Sequence, residues 1–142
     1  MTTREPLYFE ELSQGLSYDY VRTVTREQIE TFAQLSGDDN PLHLDEAFAS
    51  GTRFGGCIAH GMLSAGFISA IIGGKFIAPG AIYLKQSLKF LAPVRPGDEV
   101  TARVTVREIA PEKRRVVLDT VCLVNGEPVI KGEALVIAPV RP

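Results

Sequence analysis

The stretch GMLSAGFISAIIGG, residues 61–74, decides the fold because it has no polar face. At helical spacing its large apolar residues point in all directions, and a helix that is apolar all round is a buried helix. Its small residues Gly66, Ala70 and Gly73 recur at i, i+4 and i+7. We therefore predict a long buried helix here, with a stripe of small residues that lets a sheet approach the helix backbone closely.

Strand patterns follow this helix. EVTARVTVREI (99–109) alternates an apolar face with a polar face, which is typical of a half-buried strand. RVVLDTVCLV (115–124) is a further strand, and Asn125-Gly126 is a strong hairpin signal leading into EPVIKGEALVIAPV (127–140). AIYLKQSLKFLAPV (81–94) is predicted as one strand. The pattern predicts a meander of about four strands.

A strand and a capped helix are predicted before the buried helix. LSYDYVRTVT (16–25) alternates and is rich in β-formers. Thr25 and Gln28 then match a capping box, and apolar residues recur at helical spacing up to Gly37, a natural C-cap. Because helices and strands do not alternate, we predict a single α+β domain over residues 1–142, with an antiparallel sheet wrapped around the buried helix.

Composition narrows the classes of function. The 142 residues are 45% hydrophobic and 23% charged, as in an ordinary soluble domain, and the net charge of −2 argues against nucleic-acid binding. No apolar run reaches the length of a membrane span, and MTTREPLYFEEL (1–12) lacks a signal-peptide pattern. Cys57 and Cys122 form no CxxC pair, so we expect a cytoplasmic protein in which Cys57 is a buried small hydrophobe.

Polar residues concentrate in SGDDNPLHLDEAF, residues 36–48. Pro41 forces Asn40 out of the α region, so a tight turn can bring the side chains of Asp38 and His43 together. A carboxylate beside an imidazole is a general acid/base pair that can hold one water. Composition alone favours the alternative of a solvated loop.

Two neighbouring residues have simpler interpretations. Asp45 is predicted as the N-cap of the short helix EAFAS (46–50). His60 immediately precedes the buried helix, and its imidazole is predicted to cap backbone groups rather than to take part in chemistry. Because the chain has only two histidines, a zinc site is not expected.

These residues carry a resemblance to a known family. Asp38-x-Asn40-Pro41-Leu42-His43, followed by His60-Gly61-Met62, resembles the signature of the MaoC-like, (R)-specific enoyl-CoA hydratases. The likeness runs through nearly the whole chain, including IYLKQSLKFLAPVRPGDEV (82–100). It implies the hot-dog fold, a long helix wrapped by an antiparallel sheet, and the reversible hydration of trans-2-enoyl-CoA to (3R)-3-hydroxyacyl-CoA.

The resemblance also implies roles for individual residues. Asp38 and His43 become the catalytic pair, and Asn40 orients their loop. Gly61 supplies the backbone N–H that donates to the thioester carbonyl, a role that suits a helix N-terminus. Ser69 borders the active site, although a serine inside a helix can also bond to its own turn.

Cofactors and partners follow from the same resemblance. No metal, nicotinamide or flavin is implied, and no glycine-rich nucleotide motif is present in the sequence. The expected partners are an acyl-CoA thioester and a second copy of the chain, with neither nucleic acid nor membrane. Candidate contacts to the phosphates of coenzyme A are the cations Arg53, Lys85, Lys89, Arg95 and the 113–115 turn.

Three alternatives stay open. The first is a (3R)-hydroxyacyl-carrier-protein dehydratase, which runs the same chemistry on a protein-bound acyl chain. The second is a hot-dog thioesterase, which would release free thiol. The third is a non-catalytic thioester-binding module, although a binder has no use for an acid/base pair.

Overall fold

One antiparallel sheet and a central helix make up the fold, in a computed structural model that describes residues 5–142. Residues 1–4 lie outside the described residues, and they include the start of the segment 1–12 that is predicted not to be a signal peptide. The strands are β1 Ser17–Thr23, β2 Ile82–Gln86, β3 Lys89–Phe90, β4 Glu99–Ala110, β5 Arg115–Val124 and β6 Glu127–Ile137. The helices are α1 Arg26–Ser36, α2 Pro41–Leu44, α3 Glu46–Ser50 and α4 Gly61–Ala70, with 3₁₀ turns at Phe9–Glu11 and Pro111–Lys113 and a π turn at Ile71–Lys75.

The sheet has the order β1-β4-β5-β6-β2, and β3 also pairs with β6. Strands β4, β5 and β6 form the predicted meander, and Asn125 and Gly126 both have positive φ (51° and 78°), as a tight hairpin turn requires. The apolar face of β4 is buried against α4, as its alternation predicts. The predicted α+β class, a sheet wrapped around a helix, is confirmed.

The end signals of the short helices are also confirmed. Thr25 and Gln28 form a reciprocal capping box at the start of α1, and Gly37 ends it in the left-handed conformation, with φ of 82°. The side chain of Asp45 accepts a hydrogen bond from the N–H of Phe48 and so caps α3. These caps fix the two ends of the segment that carries the candidate catalytic residues.

The prediction of one strand over residues 81–94 is wrong, because β2 and β3 are separate. The register shifts between Tyr83 and Lys85, and the backbone of Ser87 then crosses Gly132 of β6. A Cβ atom on Gly132 would lie 1.8 Å from the Ser87 carbonyl oxygen. Only glycine leaves room for this crossing, which breaks the strand and directs β3 toward the start of α4.

The helical extent predicted for residues 61–74 is confirmed, because α4 continues directly as a π turn in which Gly74 has a φ of 140°. The prediction that this helix is buried on all sides, with a sheet against its small residues, is wrong. The stripe of small residues does not receive a sheet, because a Cβ on Gly66 or Gly73 would meet nothing within 4 Å. The sheet packs instead on the side of Leu63 and Ile68, which are buried, whereas Met62 is 56% exposed.

Within residues 5–142, no helix has both the length and the apolar character that crossing a membrane demands.

Candidate active site

The polar segment between α1 and α4 folds into a turn followed by the single helical turn α2, so the interpretation of it as a plain loop is wrong. Asn40 begins the turn, and its Oδ1 accepts a hydrogen bond from the N–H of Leu42 at 3.0 Å. Pro41 takes the first helical position, where its missing N–H costs no hydrogen bond. This geometry directs His43 inward, where only 8% of the residue is exposed.

Three side chains converge at the start of α4. A carboxylate oxygen of Asp38 and one nitrogen each of His43 and His60 all lie within 4.8 Å of one another. Asp38 is exposed, whereas both histidines are buried. The structure therefore brings Asp38 and His43 together, as the turn at Asn40 predicts, and adds His60 to them.

A hydrogen bond sets the tautomer of His43. Its Nδ1 lies 2.7 Å from the carbonyl oxygen of Ile58. Because a carbonyl only accepts, Nδ1 carries the proton and Nε2 is left as an acceptor. An ionised Asp38 is also an acceptor, so the two groups together can hold one water by both of its O–H bonds.

The same three residues could supply ligands for a divalent cation by distance alone. The rings of His43 and His60, however, stack with their centroids 3.9 Å apart and their planes at 29°. A ring-nitrogen lone pair lies in the plane of its ring, so stacked rings direct their lone pairs within two separate, nearly parallel planes, which is unfavourable for binding one ion. The arrangement favours a hydrogen-bonded water over a chelated ion.

A pocket of about 250 Å³ opens beside His43. His43 and Gly61 line it together with a mainly apolar wall that includes Phe54, Ile58, Phe90, Leu91, Val94 and Ile130. Gly61 is the first residue of α4, so no carbonyl of the helix can accept its N–H. The Phe90 ring lies against it, and a Cβ at Gly61 would fall 2.4 Å from ring carbons of Phe90.

Other predicted residues lie further away. Ser69 is exposed, about two helical turns beyond Gly61, and is not among the residues that line this pocket. Of the candidate cations only Arg53 lines the pocket, with its guanidinium 4.9 Å from the ring centre of Phe54. Arg95 instead donates to the carbonyl of Phe54.

His60 is the residue whose role the sequence did not reveal. It binds a backbone group, as predicted, but its side chain makes no cap hydrogen bond to α4, the helix that it precedes. Its Nε2 instead lies 2.9 Å from the main-chain oxygen of Asp38. The only signal in the sequence is its place in the second half of the family motif.

Neither cysteine is suited to nucleophilic chemistry. Cys57 and Cys122 are free and buried, as expected for Cys57. Burial raises the pKa of the Cys57 thiol and raises the pKa of Cys122 to about 12. Since the thiolate is the reactive form, these groups stay protonated and inert near neutral pH.

The chain resembles known proteins in sequence and in fold. Residues 10–126 match the family described as "MaoC like domain". The (R)-specific enoyl-CoA hydratase of Rhodospirillum rubrum is 53% identical over 134 residues, covering 94% of this chain and 93% of that protein. The 3-hydroxybutyryl-CoA dehydratase of Methylorubrum extorquens is 47% identical over 133 residues, covering 94% and 85%.

A solved structure shows the same similarity in fold. The R-hydratase from Pseudomonas aeruginosa in its unliganded form superposes with a TM-score of 0.91 at 40% identity. The superposition covers 96% of this chain and 88% of that one. The hot-dog architecture implied by the sequence motif is thereby confirmed.

Proposed function

Because the chain belongs to the MaoC-like domain family, we propose that it is a hydro-lyase that reversibly adds water to trans-2-enoyl-CoA and gives (3R)-3-hydroxyacyl-CoA. The observation that carries the proposal is a largely apolar pocket that His43 and Gly61, the first residue of α4, line together, with a carboxylate oxygen of Asp38 within 4.8 Å of a His43 nitrogen although Asp38 itself does not line the pocket. Hydration of a conjugated thioester needs these two elements, an activated water and a donor to the carbonyl oxygen.

The proposed mechanism uses only side chains and backbone of this chain. Asp38 and the Nε2 of His43 hold a water by its two hydrogens, so its oxygen lone pair faces the β carbon of the substrate. As the oxygen attacks, negative charge grows on the thioester oxygen, where the Gly61 N–H donates a hydrogen bond. Such a donor contributes a rate factor of about 10²–10³.

The proton follows a short path. The acid/base pair takes it from the attacking water and delivers a proton to the α carbon from the same face of the alkene. Because the two groups lie close together, the base and acid roles are assigned to the pair rather than to either residue alone. General acid/base help of this kind is worth about 10²–10⁴ in rate.

The reaction is tested directly with crotonyl-CoA, whose conjugated enoyl absorbance disappears on hydration. We expect loss of that absorbance with wild-type protein, a (3R) product on chiral analysis, and no free thiol by a thiol reagent. Release of thiol would establish the thioesterase alternative. Absence of turnover with both CoA and carrier-protein thioesters would leave the binding-module alternative.

Arg53 is the proposed contact to coenzyme A, since it is the one candidate cation that lines the pocket. Replacing it by glutamine should raise KM for crotonyl-CoA by about 10-fold, the loss of one charge-assisted hydrogen bond. Crotonyl-pantetheine lacks the nucleotide phosphates, so the same variant should leave its KM unchanged. Equal effects on the two substrates would contradict a phosphate contact. Separately, a higher rate of the wild-type protein with an acyl-carrier-protein thioester than with the CoA thioester would favour the dehydratase alternative.

A homodimer is proposed from the exposed edge of the sheet. Strand β2 ends the sheet order, and its residues Ile82, Tyr83 and Leu84 are 54%, 38% and 39% exposed. Apolar side chains on an unpaired strand edge favour pairing with a second copy. The exposed small residues of α4 leave room for a second helix to lie alongside. We also propose a cytoplasmic location, which rests on the cysteine pattern of the sequence and not on the dimer.

A lysine at position 82 should weaken this dimer. The Ile82→Lys change places a charge in the proposed interface, and we expect the dimer dissociation constant to rise by at least about 10-fold in analytical ultracentrifugation. Val21→Lys, on the opposite edge strand, is a matched control that should leave the dimer intact. The opposite ranking of the two variants would place the interface on β1.

A further inference from the structure

His60 is a buried histidine whose nitrogens have very different surroundings. Only 2% of the residue is exposed. Its Nε2 lies 2.9 Å from the main-chain oxygen of Asp38, 22 residues earlier in the chain. Because a carbonyl only accepts, Nε2 carries the proton. Its Nδ1 is buried and has no hydrogen-bond partner among the described residues.

The His60 ring also contacts His43, the second member of the proposed catalytic pair. It lies between two rings, with its centroid 4.8 Å from that of Phe32 and 3.9 Å from that of His43. Phe32 belongs to α1 and His43 to α2, so one imidazole contacts the elements on both sides of the Asp38 turn. A shift of this ring would therefore displace both catalytic groups.

Asp38 has little else to hold it. Its N–H donates to Ser36 Oγ at 3.1 Å, and its carboxylate accepts from the Asn40 N–H at a long 3.4 Å. Both contacts lie within the turn itself. Among the hydrogen bonds of residues 5–142, the one from His60 alone ties Asp38 to a residue outside positions 36–40.

We propose that His60 is a positioning residue for the hydration reaction, which fixes the main chain of Asp38 and thereby places its carboxylate beside His43. It acts through these residues and does not line the pocket. The unpartnered Nδ1 is unfavourable for stability, and an apolar side chain would avoid it. A histidine suits this position because its other nitrogen, Nε2, donates the hydrogen bond to the main-chain oxygen of Asp38. This inference rests on the proposed hydratase function.

A matched pair of variants tests the role of the Nε2 hydrogen bond. Glutamine and methionine have similar length, but only glutamine carries a donor near the position of Nε2. We expect His60→Gln to keep kcat for crotonyl-CoA within about 10-fold of wild type and His60→Met to lose about 100-fold, as displaced catalytic groups do. KM should change by less than about 3-fold in both. Equal losses of kcat, or a change confined to KM, would overturn the proposal.

The wild-type protein supplies a second test that needs no substitution. Long-range ¹H–¹⁵N NMR should show His60 as the Nε2–H tautomer at neutral pH, and the Nδ1–H tautomer would overturn the proposed hydrogen bond. This measurement also separates the His60 contact from the proposed hydratase function. Wild-type protein that lacks hydratase activity contradicts the proposed function, whereas the NMR result decides the His60 contact in either case.

Discussion

Replacing Asp38 by asparagine should lower kcat for crotonyl-CoA by about 10²–10⁴-fold and leave KM almost unchanged. The amide keeps the size of the carboxylate and its ability to accept a hydrogen bond from Asn40, but it cannot take a proton from water. Because Asp38 is exposed, the substitution should not alter the free energy of unfolding by more than about 0.5 kcal/mol. Steady-state kinetics and a thermal melt measure both quantities.

Asp39 provides a matched control for this prediction. It is also an exposed carboxylate, one residue further along the same turn, and it does not belong to the converging cluster. Asp39→Asn should keep wild-type kcat within about 2-fold, as expected for a surface change away from the site. If both variants lost activity equally, the effect would come from the charge of the turn and not from an acid/base role of Asp38.

The largest effect on stability is expected at Gly132. An alanine Cβ there would lie 1.8 Å from the Ser87 carbonyl oxygen and 2.7 Å from its carbonyl carbon. Both atoms are backbone, so the clash can be relieved only by moving the link between β2 and β3. We expect Gly132→Ala to destabilise the fold by at least about 3 kcal/mol, seen as a fall in the midpoint of denaturant unfolding.

Gly51 supplies the comparison for Gly132. Its φ of −83° suits any residue, and an added Cβ would make only an ordinary 3.5 Å contact with the Phe48 oxygen. Gly51→Ala should therefore be neutral or slightly stabilising, by up to about 1 kcal/mol. If the Gly132→Ala protein were as stable as the Gly51→Ala protein, the backbone at Ser87 would be able to move away from position 132 at little cost in the free energy of unfolding.

Features that depend on neighbouring residues could be predicted from the sequence. The Thr25 capping box, the Gly37 C-cap and the Asn125-Gly126 turn are each set within a few residues, and the structure contains all of them. The approach of Asp38 to His43 belongs to the same class, because a turn within the six residues 38–43 produces it.

Features that join distant segments could not be predicted in this way. The break between β2 and β3 is set by Gly132, 45 residues after Ser87, and no local pattern marks that encounter. The hydrogen bond from His60 to Asp38 spans 22 residues in the same manner. The exposed side of α4 differs from the prediction because hydrophobicity indicates burial but does not say which surface covers the helix.

The sheet order has a consequence for how the protein is made. Strand β6 pairs with β5, β2 and β3, yet it is synthesised after all the other strands of this sheet. At about 5–20 residues per second, synthesis from the end of α4 to the end of β6 takes roughly 3–13 s. During that interval an apolar helix has emerged without the completed sheet that will cover it. The apolar surface of α4 therefore stays exposed for several seconds in each new chain, and an exposed apolar surface of this kind favours aggregation until the sheet is complete.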